Sequence, residues 1–419
     1  MLRLLFLTQV VPYPPDSGPK IKTYHVLRYL AGQGHQITLA SFIRDHEKPF
    51  LHHLRDYCQE IFVAPIHRSR IADGMAYFEG LRAGLPFLIT RDAQPEMQHL
   101  IDRLAARQQF DIVHADQVTM AQYALRFRRL CDASAGSSPA IVFDAHNAVY
   151  EIVERARQTA LPLLQPVLAL EANRLKRYEG NLIDQFDHTL AVSEIDKTAL
   201  QSAAVEKAKD TSRKNLASKI SVIPIAVDCA DLAIRKQKER TNDILAVSTL
   251  YYPPNADGIR WFMNQVFPMV RRRIPAATLT VVGARPPKDI IEFGARNAEC
   301  VQVTGYVPDL QEYFERAAVM VVPVRAGSGM RVRILEALAR GIPVVTTTTG
   351  VEGIDAVDGK HLLVADEPAR FADAVARLLG DSNLRMSLSE SGRRLVEERY
   401  DWRVVLPKLE AVYTLLRSG

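Results

Sequence analysis

The chain has 419 residues, enough for two or three domains at about 150 residues each. Hydrophobic residues at 47% and charged residues at 24% give the balance of an ordinary globular protein, which excludes disorder, collagen-like repeats and a disulfide-dense miniprotein. A net charge of +5 is too mild to imply nucleic acid and leaves room for an anionic small ligand or an anionic membrane surface.

The apolar start, Leu2 to Val10, reads as the buried first strand of a parallel sheet. It resembles a signal peptide only in length, because Pro12, Pro14 and Pro15 end the run and no small-x-small cleavage site follows. A Pro/Gly loop leads to a helical stretch through Tyr24, Leu27 and Leu30, which stops at Gly32 and Gly34. Gln36–Phe42 is a second strand, so the two strands are expected to be parallel with a right-handed crossover. Further strands are predicted at Ile61–Ala64, Ile112–His114, Ala140–Phe143, Thr189–Val192 and Ile220–Ile223, with amphipathic helices between them. The polar stretch 205–219 reads as an exposed helix or a loop, and the charged stretch Arg235–Asp243 as the domain boundary.

The alternation then starts afresh. Strands are predicted at Ile244–Ser248, Ala277–Val282, Cys300–Thr304, Val319–Pro323, Pro343–Thr346 and His361–Val364. Helices are predicted at Trp261–Arg272, Asp309–Arg316, Val332–Arg340, Pro368–Leu379 and Leu384–Glu398. The fold expected is α/β, two doubly wound Rossmann-like domains facing a central cleft, over residues 1–235 and 236–400. Residues 401–419 form an amphipathic helix with Trp402, Leu406, Leu409, Val412 and Leu416 on its apolar face. Cys58, Cys131, Cys229 and Cys300 are too scattered for a zinc or redox site and read as separate thiols in a reducing compartment. No apolar run reaches the ~18–20 residues that span a bilayer.

Three segments carry candidate chemistry. The loop before the first helix holds Gly18, Lys20 and Lys22, where a helix N-terminus favours an anion and a lysine adds charge. The same Pro/Gly cluster also reads as a plain turn. Phe143-Asp144-Ala145-His146-Asn147 ends a strand in polar residues, where His146 is placed either to move a proton or to be a structural histidine satisfied by Asp144 or the main chain. His114 and Asp116 form a similar, smaller cluster without metal-site spacing, and no metal is expected. In the third segment, strand-ending Pro323 leads through Gly327-Ser328-Gly329 into a helix. There the N–H groups of Ser328, Gly329 and Met330 form a phosphate cradle. Arg333 and Glu336 share a helix face, suited either to a diphosphate and a ribose diol or to an ordinary ion pair with each other.

Together these segments resemble the retaining GT-B glycosyltransferases of family four, the group 1-type glycosyltransferases. The likeness runs through the 12–22 loop, Gly34-His35, Asp144-Ala145-His146-Asn147, Val222-Ile223-Pro224, Pro254-Asn255, Val282-Gly283, Gly305-Tyr306-Val307 and 327–341. Within the family the chain looks most like a branch of exopolysaccharide and protein-sorting-associated sugar transferases. The resemblance implies transfer of a hexosyl group, with retention, from a UDP- or GDP-linked sugar to a glycan or lipid-linked acceptor in cell-surface polysaccharide synthesis. It implies no metal or other cofactor and a cytoplasmic protein. It also implies that the C-terminal helix packs back on the first domain. Basic clusters such as Arg68-Ser69-Arg70 and Arg126-Phe127-Arg128-Arg129 suit either peripheral contact with the anionic inner face of the membrane or ordinary solvated helix faces.

Residue by residue, the resemblance gives Glu336 the ribose and Arg333 the diphosphate. Ser328, Gly329 and Met330 become the cradle, Tyr306 and Val307 the base pocket, Gly18 a phosphate contact and His146 the catalytic orienting group. The family's Glu-x7-Glu pair is broken, since Ser328 stands eight residues before Glu336. A Gly-Arg…Lys-Gly phosphate pair is also missing, with 247–255 in its place, so Lys20, Arg325, Arg331 or Arg333 is expected to supply the charge. A nucleotide-sugar epimerase or phosphorylase on the same fold, or a non-catalytic scaffold, would carry many of the same features.

Overall fold

The computed structural model describes residues 1–107, 109–134, 138–205, 218–232, 234, 241–327 and 329–418. Most of the polar stretch 205–219, the start of the charged stretch at 235–240, and Ser328 lie outside the described residues. The chain divides into two compact units. One is Met1–Ala226 together with Val405–Gly419, and the other is Val227–Val404.

The first unit is built on seven strands: β1 (Arg3–Thr8), β2 (Gln36–Ile43), β3 (Glu60–Pro65), β4 (Ile112–Asp116), β5 (Ala140–Ala145), β6 (His188–Ala191) and β7 (Ile220–Val222). Their order is β3-β2-β1-β4-β5-β6-β7, and every pairing is parallel. An all-parallel sheet needs cover on both faces, which is why β1 and β4 are buried almost end to end. Leu5, Leu7, Val113, Ala115, Ile141 and Phe143 point to one face and join a single apolar core. The other residues of the central strands, among them Phe6, His114, Asp116 and Asp144, share the opposite face, because side chains alternate along a strand.

The second unit repeats the plan with β8 (Asp243–Val247), β9 (Thr278–Val282), β10 (Val301–Gly305), β11 (Val319–Val322), β12 (Val344–Thr346) and β13 (Leu363–Val364). The order is β10-β9-β8-β11-β12-β13, again parallel. Both sheets reverse direction of growth once, at β1/β4 and at β8/β11. Those are the switch points outside whose carboxyl ends ligands bind in such sheets.

Local differences from the sequence expectations have simple causes. The helix expected from Trp261 begins earlier, at Pro253, because proline suits the first helical turn. A π-turn at Phe262–Val266 separates it from Phe267–Arg273. The strand expected at His361–Val364 shrinks to two residues, since a turn at Gly359 takes up its start. The second unit begins at Val227 rather than at 236. Residues just after Val227 are anchored within it: Arg393 donates to the Cys229 carbonyl at 2.9 Å, and Arg403 bonds Asp228 at 2.9 Å.

The helix Trp402–Ser418 starts in the second unit and ends in the first. There Glu410 meets His35 Nε2 at 2.9 Å, and the Tyr413 hydroxyl meets His114 Nδ1 at 2.7 Å. All four cysteines are free thiols. Among the described residues no helix is long and apolar enough to cross a membrane.

Candidate functional site

In the first unit the switch point is filled by charged side chains that face one another. Asp116 and Asp144 are register partners at the ends of β4 and β5. The helix Gly18–Gly32 lies over them and supplies Lys22, whose ammonium bonds Asp144, and Thr23, whose hydroxyl donates to Asp116 at 3.0 Å. His146 Nε2 lies 2.6 Å from the second oxygen of Asp116. Asp116, Asp144, Lys22, His114 and His146 are all buried.

His114 extends the network inward. Its ring stacks on Phe6 with centroids 4.1 Å apart, and Nδ1 shares a hydrogen bond with the Tyr413 hydroxyl. That leaves Nε2 facing Asp144 at 3.3 Å, within ion-pair range although the pair lacks hydrogen-bond alignment. Burial pushes the Tyr413 phenol well above its usual pKa, and the nearby Asp144 charge adds to this, so Tyr413 stays protonated. Burial also lifts the Asp144 carboxyl. Lys22, His114 and His146 together outweigh it and hold the group below the ordinary carboxylate range.

His114, Asp116 and Asp144 bring three ligand atoms within 4.8 Å of one another, a spacing compatible with a metal ion. Each of these side chains already has a protein partner: Tyr413 on His114, Thr23 and His146 on Asp116, and Lys22 on Asp144. The Lys22 ammonium is the cation that Asp144 faces.

A second layer fixes the loop that carries His146. Glu179, fully buried, accepts from the N–H groups of Val149 at 2.8 Å and Tyr150 at 3.0 Å. Asp196 accepts from Ala148 N–H at 3.1 Å. These carboxylates satisfy the orphan donors at the start of the helix Val149–Thr159. Burial pushes the Glu179 carboxyl up to about 8, against the pull of its two N–H donors.

The loop candidates of this unit are placed as follows. Gly18 opens its helix behind an extended Ser17 that makes no side-chain cap. Lys20 turns to carboxylates instead of solvent, 3.7 Å from Asp16 and 3.8 Å from Glu47. His146 is satisfied by Asp116, not by Asp144 as the sequence suggested. Its Nδ1 has no partner among the described residues.

In the second unit the polar groups stand at the surface of the sheet edge. Gly327 and Gly329 have φ of 102° and 91°, a region that side-chain-bearing residues avoid, which explains the glycines flanking Ser328. Among the described residues no acceptor faces the N–H of Gly329 or Met330. The helix Val332–Ala339 follows, two turns long and without a side-chain cap at its N-terminus. Its apolar face, Ile334, Leu335 and Leu338, is buried, which leaves Arg333 and Glu336 half-buried on the other side. Arg333 Nη1 donates to Glu336 at 2.6 Å.

The remaining arginines are engaged as well. Arg331 donates to the Gly329 carbonyl, and Arg325 lies 3.4 Å from Asp257 and over Trp261. Tyr306 and Val307 follow β10; Tyr306 is exposed and Val307 half-buried. The structure therefore groups Gly327, Gly329, Met330, Arg331, Arg333 and Glu336 on one short segment and leaves Tyr306 and Val307 on another strand end.

Residues 241–381 match the family of glycosyl transferases group 1. A Klebsiella pneumoniae protein described as an uncharacterized 44.6 kDa protein in the cps region is 20% identical over 98% of this chain and 99% of its own length. A GDP-mannose-dependent alpha-(1-6)-phosphatidylinositol monomannoside mannosyltransferase of Mycobacterium tuberculosis is 33% identical over 34% of this chain and 40% of that protein. Among solved structures, HepE of Anabaena in complex with UDP and glucose is similar in fold, with a TM-score of 0.67 and 13% identity over 99% of this chain and 100% of that one.

Proposed function

Because residues 241–381 belong to the glycosyl transferases group 1 and the two sheets have the GT-B plan, we propose that this glycosyltransferase moves a hexosyl group, with retention, from a UDP- or GDP-linked sugar to a glycan or lipid-linked acceptor in cell-surface polysaccharide synthesis. The observation that carries the proposal is the segment Gly327–Glu336. An uncapped helix start, a glycine loop of positive φ and a half-buried carboxylate coincide at a sheet switch point. The Klebsiella relative from a cps region and the UDP bound by HepE support the pathway and the ligand class.

As the glycosidic bond breaks, the leaving diphosphate gathers negative charge. N–H groups at Ser328, Gly329 and Met330, with Arg331 and Arg333 beside them, stabilise that charge most when it is fully developed, which is what lowers a barrier. No metal is needed for this step where N–H and guanidinium groups supply the positive potential. Glu336 turns from Arg333 to the ribose hydroxyls, and Tyr306 and Val307 flank the base. Gly18 meets phosphate. His146, held by Asp116, orients the sugar and the acceptor hydroxyl.

The protein works in the cytoplasm, peripherally on the anionic inner face of the membrane. Supporting this, the helix Arg70–Ala83 turns Ile71, Met75 and Phe78 to solvent at 78%, 69% and 72% exposure, with Arg70 and Arg82 beside them. Apolar side chains at that spacing share one face, as on helices that lie in a lipid interface.

The test is a donor screen that reads acceptor-dependent release of UDP or GDP, with product stereochemistry read by NMR. Release that needs acceptor, and a product that keeps the donor's anomeric configuration, is expected. Epimerised donor without transfer would refute the proposal.

A further inference from the structure

A diphosphate is held best by a cation that no protein acceptor has already claimed, since an engaged guanidinium must give up one partner to gain another. The arginines in and just before the Gly327–Glu336 segment do not meet that condition. Arg333 is on Glu336, Arg331 is on the Gly329 carbonyl, and Arg325 is near Asp257. The segment 247–255 after β8 contains neither lysine nor arginine.

Arg285 is different. It is exposed, and among the described residues it has no acidic partner. Its guanidinium carbon sits 4.2 Å from the centroid of the Tyr251 ring. Its backbone has φ of 51°, a left-handed conformation that costs a non-glycine residue about 1–2 kcal/mol and so persists where surrounding structure imposes it.

That surrounding structure is visible. Ser248 N–H donates to the Val282 carbonyl at 2.9 Å, and Gly283 N–H donates to the Gly305 carbonyl at 2.9 Å. A Cβ on Gly283 would stand 1.9 Å from the Ser248 carbonyl oxygen, so the loops after β8 and β9 are in direct contact. Tyr251 leaves one loop and Arg285 the other. The next residue, Tyr252, brings its hydroxyl 3.9 Å from where a Cβ on Gly327 would lie, so the loop that carries Tyr251 reaches the glycine loop.

We propose that Arg285, carried on the face of Tyr251, is the cation that receives the diphosphate of the nucleoside diphosphate sugar. This rests on the donor reading given above. Stacking on the ring holds the flat guanidinium by one face and leaves its edge, with the N–H donors, for phosphate oxygens. This charge, from the loop after β9, adds to what Arg331 and Arg333 supply once they release their own partners.

The test compares UDP with uridine and GDP with guanosine by calorimetry, on the full chain. The proteins are wild type, Arg285→Gln, Arg285→Lys, Tyr251→Phe, Tyr251→Ala and, as a control, Glu336→Ala. Arg285→Gln is expected to weaken the diphosphate about tenfold or more and leave the nucleoside unchanged. Arg285→Lys recovers part of the loss, because the charge stays but the flat fork does not. Tyr251→Phe keeps wild-type affinity and Tyr251→Ala does not. Glu336→Ala weakens diphosphate and nucleoside together. If wild type binds and Glu336→Ala weakens both ligands, but Arg285→Gln binds the diphosphate like wild type, the Arg285 assignment is wrong and the donor site stands. If wild type binds neither diphosphate, both fall.

Discussion

The carboxyl ends of the two sheets hold polar side chains in opposite states. In the first unit Lys22, Asp116, Asp144, His114 and His146 face one another in the interior. In the second, Arg285, Tyr251, Tyr306 and the Gly327 loop stand at a surface. A buried charged network is coupled to folding, because each group was desolvated and depends on its partner. A surface cluster costs the fold little and can change partners when a ligand arrives. Substitutions in the first unit should therefore disturb stability or turnover, and those in the second should disturb affinity.

The largest effect is expected at Asp144. Asp144→Ala leaves the Lys22 ammonium buried without its carboxylate, and the loss of stability in chemical denaturation should be about 3–5 kcal/mol. Adding Lys22→Met should restore part of it, because the orphaned charge is gone. A loss under about 1 kcal/mol for the single variant would show that the network is not structural.

Next comes His146→Ala, expected to cut turnover about 100-fold while the affinity for UDP or GDP stays close to wild type. Asp116→Asn tests the positioning of the ring: it should alter the pH profile of turnover more than nucleotide affinity. Unchanged turnover in His146→Ala would restrict that residue to structure.

Glu336→Ala should lose about tenfold in nucleotide affinity with no change in melting temperature, since its partner Arg333 reaches solvent. A large fall in stability would erase the contrast between the two regions.

The most gradual effect belongs to Glu179, spread over several pH units. In the folded chain its carboxyl keeps its proton up to about 8, whereas the ordinary value is 4.5. Between those values the folded state holds the extra proton. Stability contributed by Glu179 therefore declines as pH rises through the window, at no more than about 1.4 kcal/mol per pH unit. Glu179→Gln should flatten that slope in melting curves. The same slope in wild type and variant would assign it to other groups.

Much of the frame was legible because burial on both faces of a parallel sheet writes strands as apolar runs. Leu4–Leu7 and Val319–Val322 are examples. The helix after Gly329 was legible from its apolar spacing and the glycines before it. The polar pair His114 and Asp116, two apart on an apolar strand, signalled a shared face.

What escaped was partner choice. Nothing local tells Lys22 to turn inward while Lys20 turns to Asp16 and Glu47. Tyr413 is 299 residues from His114, and sequence spacing carries no trace of that bond. The apolar spacing in Arg70–Ala83 has the form of a core stripe, yet the structure leaves Ile71, Met75 and Phe78 outside. Arg285 lacks any sequence signal, since its distinction is what it does not pair with and the ring it rests on.

The most direct measurement is a calorimetric titration of the purified chain with UDP and with GDP, beside Glu336→Ala, with a melting curve for each protein. Saturable binding of one nucleotide by wild type, about tenfold weaker in the variant at the same melting temperature, is the expected result. Equal affinity in both proteins, or no binding of either nucleotide by wild type, would contradict the assignment of Gly327–Glu336 as the donor site.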